Sequence, residues 1–220
     1  MPSLRWNEYA IILNHAREAL FLDSNLPFYS TTTEHFWQTV EPLNAAMRTL
    51  TGLNLTTLRL LNVRYDETKN IITRVYLMEC HDGDTPNAGR WVRREYLHAA
   101  ANAPATLADA LREWDTLTPV SWYAQGWFMQ TTRALPERLQ TRGYIVDAPI
   151  EQVRTWERST VLRAHTTRGA VYIKQVPPMF AHETRLSLWL AERFPGDCPP
   201  VLDVDGCQMV MPDYGGTALT

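Results

Sequence analysis

The spacing of apolar and polar positions changes period several times along the chain, and the changes mark its elements. In EYAIILNHAREALFL, residues 8–22, two apolar runs flank a polar break, which predicts two strands joined by a turn at Asn14–Glu18. Over residues 34–51 the apolar positions become Phe36, Val40, Leu43, Met47 and Leu50. Steps of three and four predict a helix, with Pro42 in its first turn and Gly52 as its stop. TTLRLLNVRYD and NIITRVYLMECHD return to β-branched and apolar runs and read as strands. DGDTPNAG, residues 82–89, is a polar loop. RWVRREYL reads as a further short strand or turn, and ATLADALREWD, residues 105–115, as a helix.

The character shifts near residue 118. A connector and a helix ending at Gly143 come first. STVLRAHTTRGAVYIKQV follows as a hairpin turning at Thr167–Gly169. A helix then runs from about His182 to Phe194, and VLDVD and CQMVM are two short strands. The division expected is residues 1–117, a connector with helix over 118–143, and a second unit over 144–220.

Composition narrows the function classes. A formal charge of −3 argues against a nucleic-acid partner, whose phosphates call for clustered Lys and Arg. Nothing approaches the ~18 consecutive apolar residues of a membrane span, and the N-terminus lacks the pattern of a secretory signal. Three cysteines, Cys80, Cys198 and Cys207, have no C-x-x-C spacing and read as free thiols. Together these features give an expectation of a cytoplasmic protein without membrane association. Eight Trp and nine Tyr supply large buried area, so most are expected in cores or between domains.

The chemistry concentrates in GAVYIKQVPPMFAHETRLSLWL, residues 169–190. On a strand, Tyr172 and Lys174 share one face and Val171 and Ile173 the other. On the following helix, Glu183, Leu186 and Leu190 fall on one side, expected to pack onto the sheet. A carboxylate there calls for a cation, and Lys174 is the nearest. Such a pair adds little net stability, but it holds an ammonium in one place as a point charge for phosphate oxygens. Taken alone, the two residues also fit a strand-end lysine facing water and a first-turn carboxylate placed for the helix dipole.

Residues 156–219 resemble the amino-terminal lobe of the aminoglycoside phosphotransferase / choline kinase-like family. They share its order: a hairpin preceded by a Ser-containing turn, a strand ending in Lys, a helix with an early Glu, two strands, and an acidic-aromatic-Gly-Gly hinge. The resemblance implies a kinase-type phosphotransferase using ATP or GTP with Mg²⁺. Lys174 would contact the phosphates and Glu183 would orient it. The turn at Arg158–Thr160 would lie over the phosphates, and backbone groups of Met211–Asp213 would meet the adenine edge. ERST has no glycine, so a hydroxyl of Ser159 or Thr160 is the expected donor. Pro212 lacks an N–H, so adenine contacts fall to Met211, Asp213 and nearby carbonyls. The bulk of Tyr172 lies where the purine is expected. The family's catalytic aspartate, asparagine and metal-binding aspartate belong to a carboxy-terminal lobe. No H-G-D-x-x-x-x-N pattern occurs here. Accordingly the chain is expected to be the nucleotide-binding front portion of a longer enzyme, inactive alone, with the small-molecule acceptor recognised elsewhere. Aminoglycoside, choline, homoserine and sugar acceptors stay open.

Residues 8–97 resemble the Nudix fold through YAIILNHAREALFL, VEPLNAAMRTLTGL and RWVRREYL. The resemblance implies a mixed sheet with helices, giving an α+β or α/β protein overall: a Nudix-like unit, then a kinase-like lobe of antiparallel sheet plus one helix. The Nudix box R-E-U-x-E-E-x-G-U binds Mg²⁺ through converging carboxylates. Here the corresponding stretch is RTLTGL, where Arg48 remains, Thr49 stands for the first Glu, and only Glu41 lies nearby. A degenerate unit without its own metal is expected. The competing readings are an active nucleoside diphosphate hydrolase and a non-catalytic binding or scaffold module. His81, Asp82 and Asp84 read as solvent loop, and His98, His165 and His182 as single histidines. The aromatic cluster Trp122, Tyr123, Trp127 and Phe128 reads as a seam between domains.

Overall fold

The computed structural model describes residues 3–82, 88–116 and 120–215. Asp84, Thr118, Gly216 and the rest of the chain's last residues lie outside them. The chain is of mixed α+β class and divides into two units, Met1–Thr118 with Trp122–Gln125, and Pro119–Ser121 with Gly126–Thr220.

The first unit is built on strands β1 (Arg5–Leu13), β2 (Ala19–Phe21), β3 (Phe28–Thr31), β4 (Leu55–Asp66), β5 (Ile71–Cys80) and β6 (Arg90–Val92). Their order is β4-β5-β1-β2-β6, with β3 also on β1. β1 and β5 are parallel, from Arg5 opposite Ile71 to Leu13 opposite Glu79, and the other pairs are antiparallel. Alternation along β1 sends Ala10 and Ile12 to one face and Ile11 and Leu13 to the other, and both faces are covered. Helix α1 (Glu41–Thr51) sets Leu43 and Met47 against Ala10, Ile12, Tyr76 and Met78. Helix α2 (Leu107–Trp114) and a 3-10 turn, Arg94–Ala99, pack Leu97, Leu107, Ala110, Leu111 and Trp114 against Ile11, Leu13, Val75 and Leu77.

The helix expected from residue 34 begins only at Glu41, and Phe36 is 68% exposed. Pro42 explains the late start, because it sits in the first turn, where no N–H is needed. Gly52 ends α1 as expected, with φ of 69° and its N–H donating to Arg48 O.

The second unit is an antiparallel sheet of β7 (Glu151–Trp156), β8 (Ser159–Thr166), β9 (Gly169–Gln175), β10 (Asp203–Asp205) and β11 (Gln208–Pro212), ordered β10-β11-β9-β8-β7. Helix α3 (Trp127–Gln140) covers one face: Phe128, Leu135 and Leu139 pack with Leu162, Ala164, Val171, Ile173 and Val210. α3 is thus part of this unit's own core. Helix α4 (Ala181–Arg193) lies between β9 and β10 in the chain and packs on β10 and β11. Of the aromatic cluster, Trp122 and Tyr123 belong to the first unit and Trp127 and Phe128 to the second.

Among the described residues no helix is long and apolar enough to cross a membrane. The three cysteines are free.

Candidate functional site

Val171 and Ile173 are buried on the α3 side of β9, while Tyr172 and Lys174 are half-buried on the other face, as the alternation requires. From there the Lys174 ammonium reaches across to the Glu183 carboxylate in the first turn of α4 and donates a hydrogen bond to it. The two side chains are 28% and 38% exposed, so the pair, near the end of the sheet's central strand, stays open to the approach of a third charged group.

The helix meets the sheet differently from expectation. Leu186 is 51% exposed instead of packed. The residue pressed inward is Thr184, wholly buried, whose hydroxyl donates to Ala181 O at 2.9 Å or to Gly206 O at 2.8 Å. Ser187, Leu188 and Ala191 are half-buried beside it. The packed stripe is therefore turned one residue, and the reason is size: a threonine lets the helix approach the β10–β11 turn closely, and a leucine at that point would hold it off. Glu183 consequently lies at the margin of the packed face, turned toward Lys174.

The β7–β8 turn is two residues, Glu157 and Arg158, closing on the pair Trp156–Ser159. The Ser159 Oγ accepts from Trp156 Nε1 at 2.8 Å, which leaves its own hydrogen available to donate. Thr160 differs from expectation. It is wholly buried and its hydroxyl donates to Arg154 O, so it closes the hairpin and faces away from any phosphate. Arg154 and Arg158 lie over the Trp156 ring, 5.6 and 5.3 Å from its centroid. This stacked group was not singled out from sequence, although Trp156 at the end of a strand between two arginines is the signal that could have found it.

At the hinge, Met211 is half-buried opposite Tyr172. The Asp213 N–H donates to Ala170 O at 2.9 Å, and its carboxylate accepts from Gly215 N at 3.0 Å. With Pro212 lacking a donor and the Asp213 N–H engaged, this segment offers carbonyls to a ligand more readily than N–H groups.

The remaining sequence candidates separate. In the first unit, Glu41 stands in the first turn of α1, the Arg48 guanidinium donates to Leu55 O at 2.8 and 3.1 Å, and the Thr49 hydroxyl turns back to Ala45 O. Asp82 accepts from Asn54 N–H at 2.5 Å. His98 is exposed, His165 lies 3.5 Å from Glu151, and His182 meets the Phe180 ring edge-on. Arg163 donates to Glu151 and holds its carboxyl below the usual range. Among the described residues no group of three or more His, Cys, Asp or Glu side chains could hold a metal ion.

Sequence reasoning missed two buried polar clusters of the first unit. Glu8 on β1, wholly buried, accepts from Arg74 Nη1 at 3.2 Å and lies 3.3 Å from His35 Nε2, while Arg74 Nη2 donates to His35 O at 3.3 Å. Burial, then the Glu8 charge, pushes the Tyr29 hydroxyl up to about 12, and burial raises Tyr76 further. The second cluster joins Thr56, Glu79 and His81, and it corrects the reading of His81 as solvent loop: its side chain is 2% exposed, and Nε2 is 2.8 Å from Thr56 Oγ1 and 3.9 Å from Glu79 Oε1. Burial, then the positive charge of Arg48, lowers His81 to about 4.

Comparison with known proteins adds little to this geometry. No family model and no curated protein matches the chain. One solved structure, from Sinorhizobium meliloti 1021 and provisionally named an oxidoreductase, is 25% identical over 50% of this chain and 38% of its own, with a TM-score of 0.40. At that score the likeness carries no argument about fold or chemistry.

Proposed function

We propose that the second unit is a nucleotide-binding lobe of the aminoglycoside phosphotransferase type, serving an ATP- or GTP-dependent small-molecule kinase. The observation that carries this reading is the Lys174–Glu183 ion pair, on the sheet face opposite α3, near the end of the central strand β9 and partly exposed. The strand order β10-β11-β9-β8-β7, with α4 inserted between the third and fourth strands in chain order, supports it.

In this reading Glu183 is a positioning residue. It fixes the ammonium of Lys174, which acts as a compact charge against phosphate oxygens. The Ser159 hydroxyl supplies a neutral donor from the β7–β8 turn. Tyr172 and Met211, adjacent across β9 and β11, give a half-buried flank for the purine, and carbonyls near Pro212 face its edge. Bound phosphates would bring Mg²⁺ with them. Among the described residues no group of three or more His, Cys, Asp or Glu side chains stands ready to hold that ion, so the reading assigns it no protein ligands here. Because no H-G-D-x-x-x-x-N pattern occurs in these residues, the reading covers binding and positioning, and no transfer step is assigned to them.

The test is a calorimetric titration of ATP and of GTP into the protein and into Lys174→Ala. The expected result is saturable binding weakened about tenfold or more by the substitution, the scale of a single charge-assisted hydrogen bond, with the thermal unfolding midpoint unchanged. Equal affinity for both forms would sink the reading.

For the first unit we infer a Nudix-like scaffold without hydrolytic activity. The observation favouring it is α1 itself, whose Thr49 hydroxyl bonds back to Ala45 O at the position where the family's first glutamate would stand. The expected outcome is no Mg²⁺-dependent turnover of nucleoside diphosphate derivatives. Turnover that vanishes in Glu41→Gln would establish the opposite.

A further inference from the structure

The first unit carries a cleft of about 370 Å³ beside β6, walled by Glu18, Phe21, Ser24, Arg90, Arg93 and Tyr96 among others. Its volume falls in the range of small-molecule sites. Three arginines stand close together in this part of the chain, and they are used differently. Arg94 is committed to the fold: it donates to Asp115 and to Leu111 O and lies 4.8 Å from the centroid of the Trp114 ring. Arg90 and Arg93 are exposed, and among the described residues neither has a carboxylate partner. The acidic member of the wall, Glu18, is already held by the Asn14 amide at 3.2 Å.

Backbone geometry fixes Arg90 at this cleft. Gly89 has φ of +83°, and a Cβ there would lie 2.1 Å from Phe21 O. Only glycine lets the chain come so close to β2, and the next residue then pairs with Phe21 across the ladder. Phe21, almost fully buried, belongs to the core beneath the cleft, while Tyr96, 57% exposed, offers a ring at its side. Two exposed arginines beside a phenol ring match a ligand with a doubly charged head and a flat body.

We propose that this cleft binds a small organic phosphate monoester carrying an aromatic ring, with Arg90 and Arg93 on the phosphate and Tyr96 on the ring. The site lies wholly within the first unit and does not depend on the nucleotide reading of the second.

Phenyl phosphate is the probe, titrated into the full chain while backbone amide NMR shifts are followed. The expected result is saturable binding with the largest shifts between residues 88 and 99. Arg90→Gln/Arg93→Gln should weaken it by about a hundredfold, one decade for each charge-assisted hydrogen bond removed. Benzoate should bind more weakly than phenyl phosphate. The proposal is overturned by unchanged affinity in the double variant, by benzoate binding as well as phenyl phosphate, by saturable shifts confined to the second unit, or by no saturation at about 10 mM probe. Shifts confined to the second unit would place the phosphate there and leave the nucleotide reading standing.

Discussion

Arg74→Met is expected to destabilise the first unit by about 3–5 kcal/mol, seen as a lower midpoint of urea unfolding. The reason is what the substitution leaves behind. Glu8 is wholly buried, and Arg74 is the permanent cation beside it, at 3.2 Å. Among the described residues Glu8 Oε2 and Arg74 Nε have no hydrogen-bond partner, so the pair is already incompletely satisfied. Removing the guanidinium strands a carboxylate in the α1-side core, leaving His35 Nε2 as its nearest basic group. The double variant Glu8→Leu/Arg74→Met separates a charge effect from a packing effect. It should recover most of the loss, because an apolar pair of similar volume needs no compensation. A single Arg74→Met variant within ~0.5 kcal/mol of wild type would show that the buried charge is not what the fold depends on.

The second large effect is a loss of stability on mild acidification, centred on His81. Its folded value of about 4 lies below the ordinary 6.5. As pH falls through 6.5 the unfolded chain takes up the proton first, so stability declines from there and reaches its floor near pH 4. Above pH 6.5 the contribution is constant. The span corresponds to about 3 kcal/mol, on the order of 1.4 kcal/mol for each pH unit. Carboxylates held low by arginines, such as Glu151 and Asp115, lose their share at lower pH, since their ordinary values are 4.5 and 3.8. The measurement is urea unfolding at several pH values between 4 and 7.5 for wild type and His81→Asn. The variant should show a flatter profile between pH 4 and 6.5. Parallel profiles would assign the acid sensitivity to other groups.

How much of this was legible in the sequence varies residue by residue. β8 and β9 were readable because their alternation is strict and their turn contains a glycine, and that alternation also placed Lys174 on the face away from α3. The pairing with Glu183 followed from one rule, that a carboxylate near an apolar stripe needs a cation. The same rule applied to Trp6, Glu8, Ala10 and Ile12, which share a face of β1, points to Glu8 as well. What could not be read was which charged residue answers it, since Arg74 lies on β5 and only the strand order brings it alongside. β3 escaped notice because its four residues, three half-buried and Ser30 exposed, carry no alternation. The rotation of α4 was illegible for a different reason. Hydrophobicity ranks Leu186 above Thr184, whereas the β10–β11 turn selects by size and by a hydroxyl partner.

The parallel ladder of β1 and β5 has a bearing on how the protein is made. Glu8 and Arg74 stand 66 positions apart in the chain, so β1 emerges from the ribosome on the order of several seconds before its central neighbour at ordinary rates of synthesis. During that interval β1 has β3 to pair with at Trp6–Tyr9 and β2 at Leu13, and an open edge along the whole of its other side. Nascent chains halted before Ile71 should therefore be held by chaperones, and release should coincide with the appearance of β5.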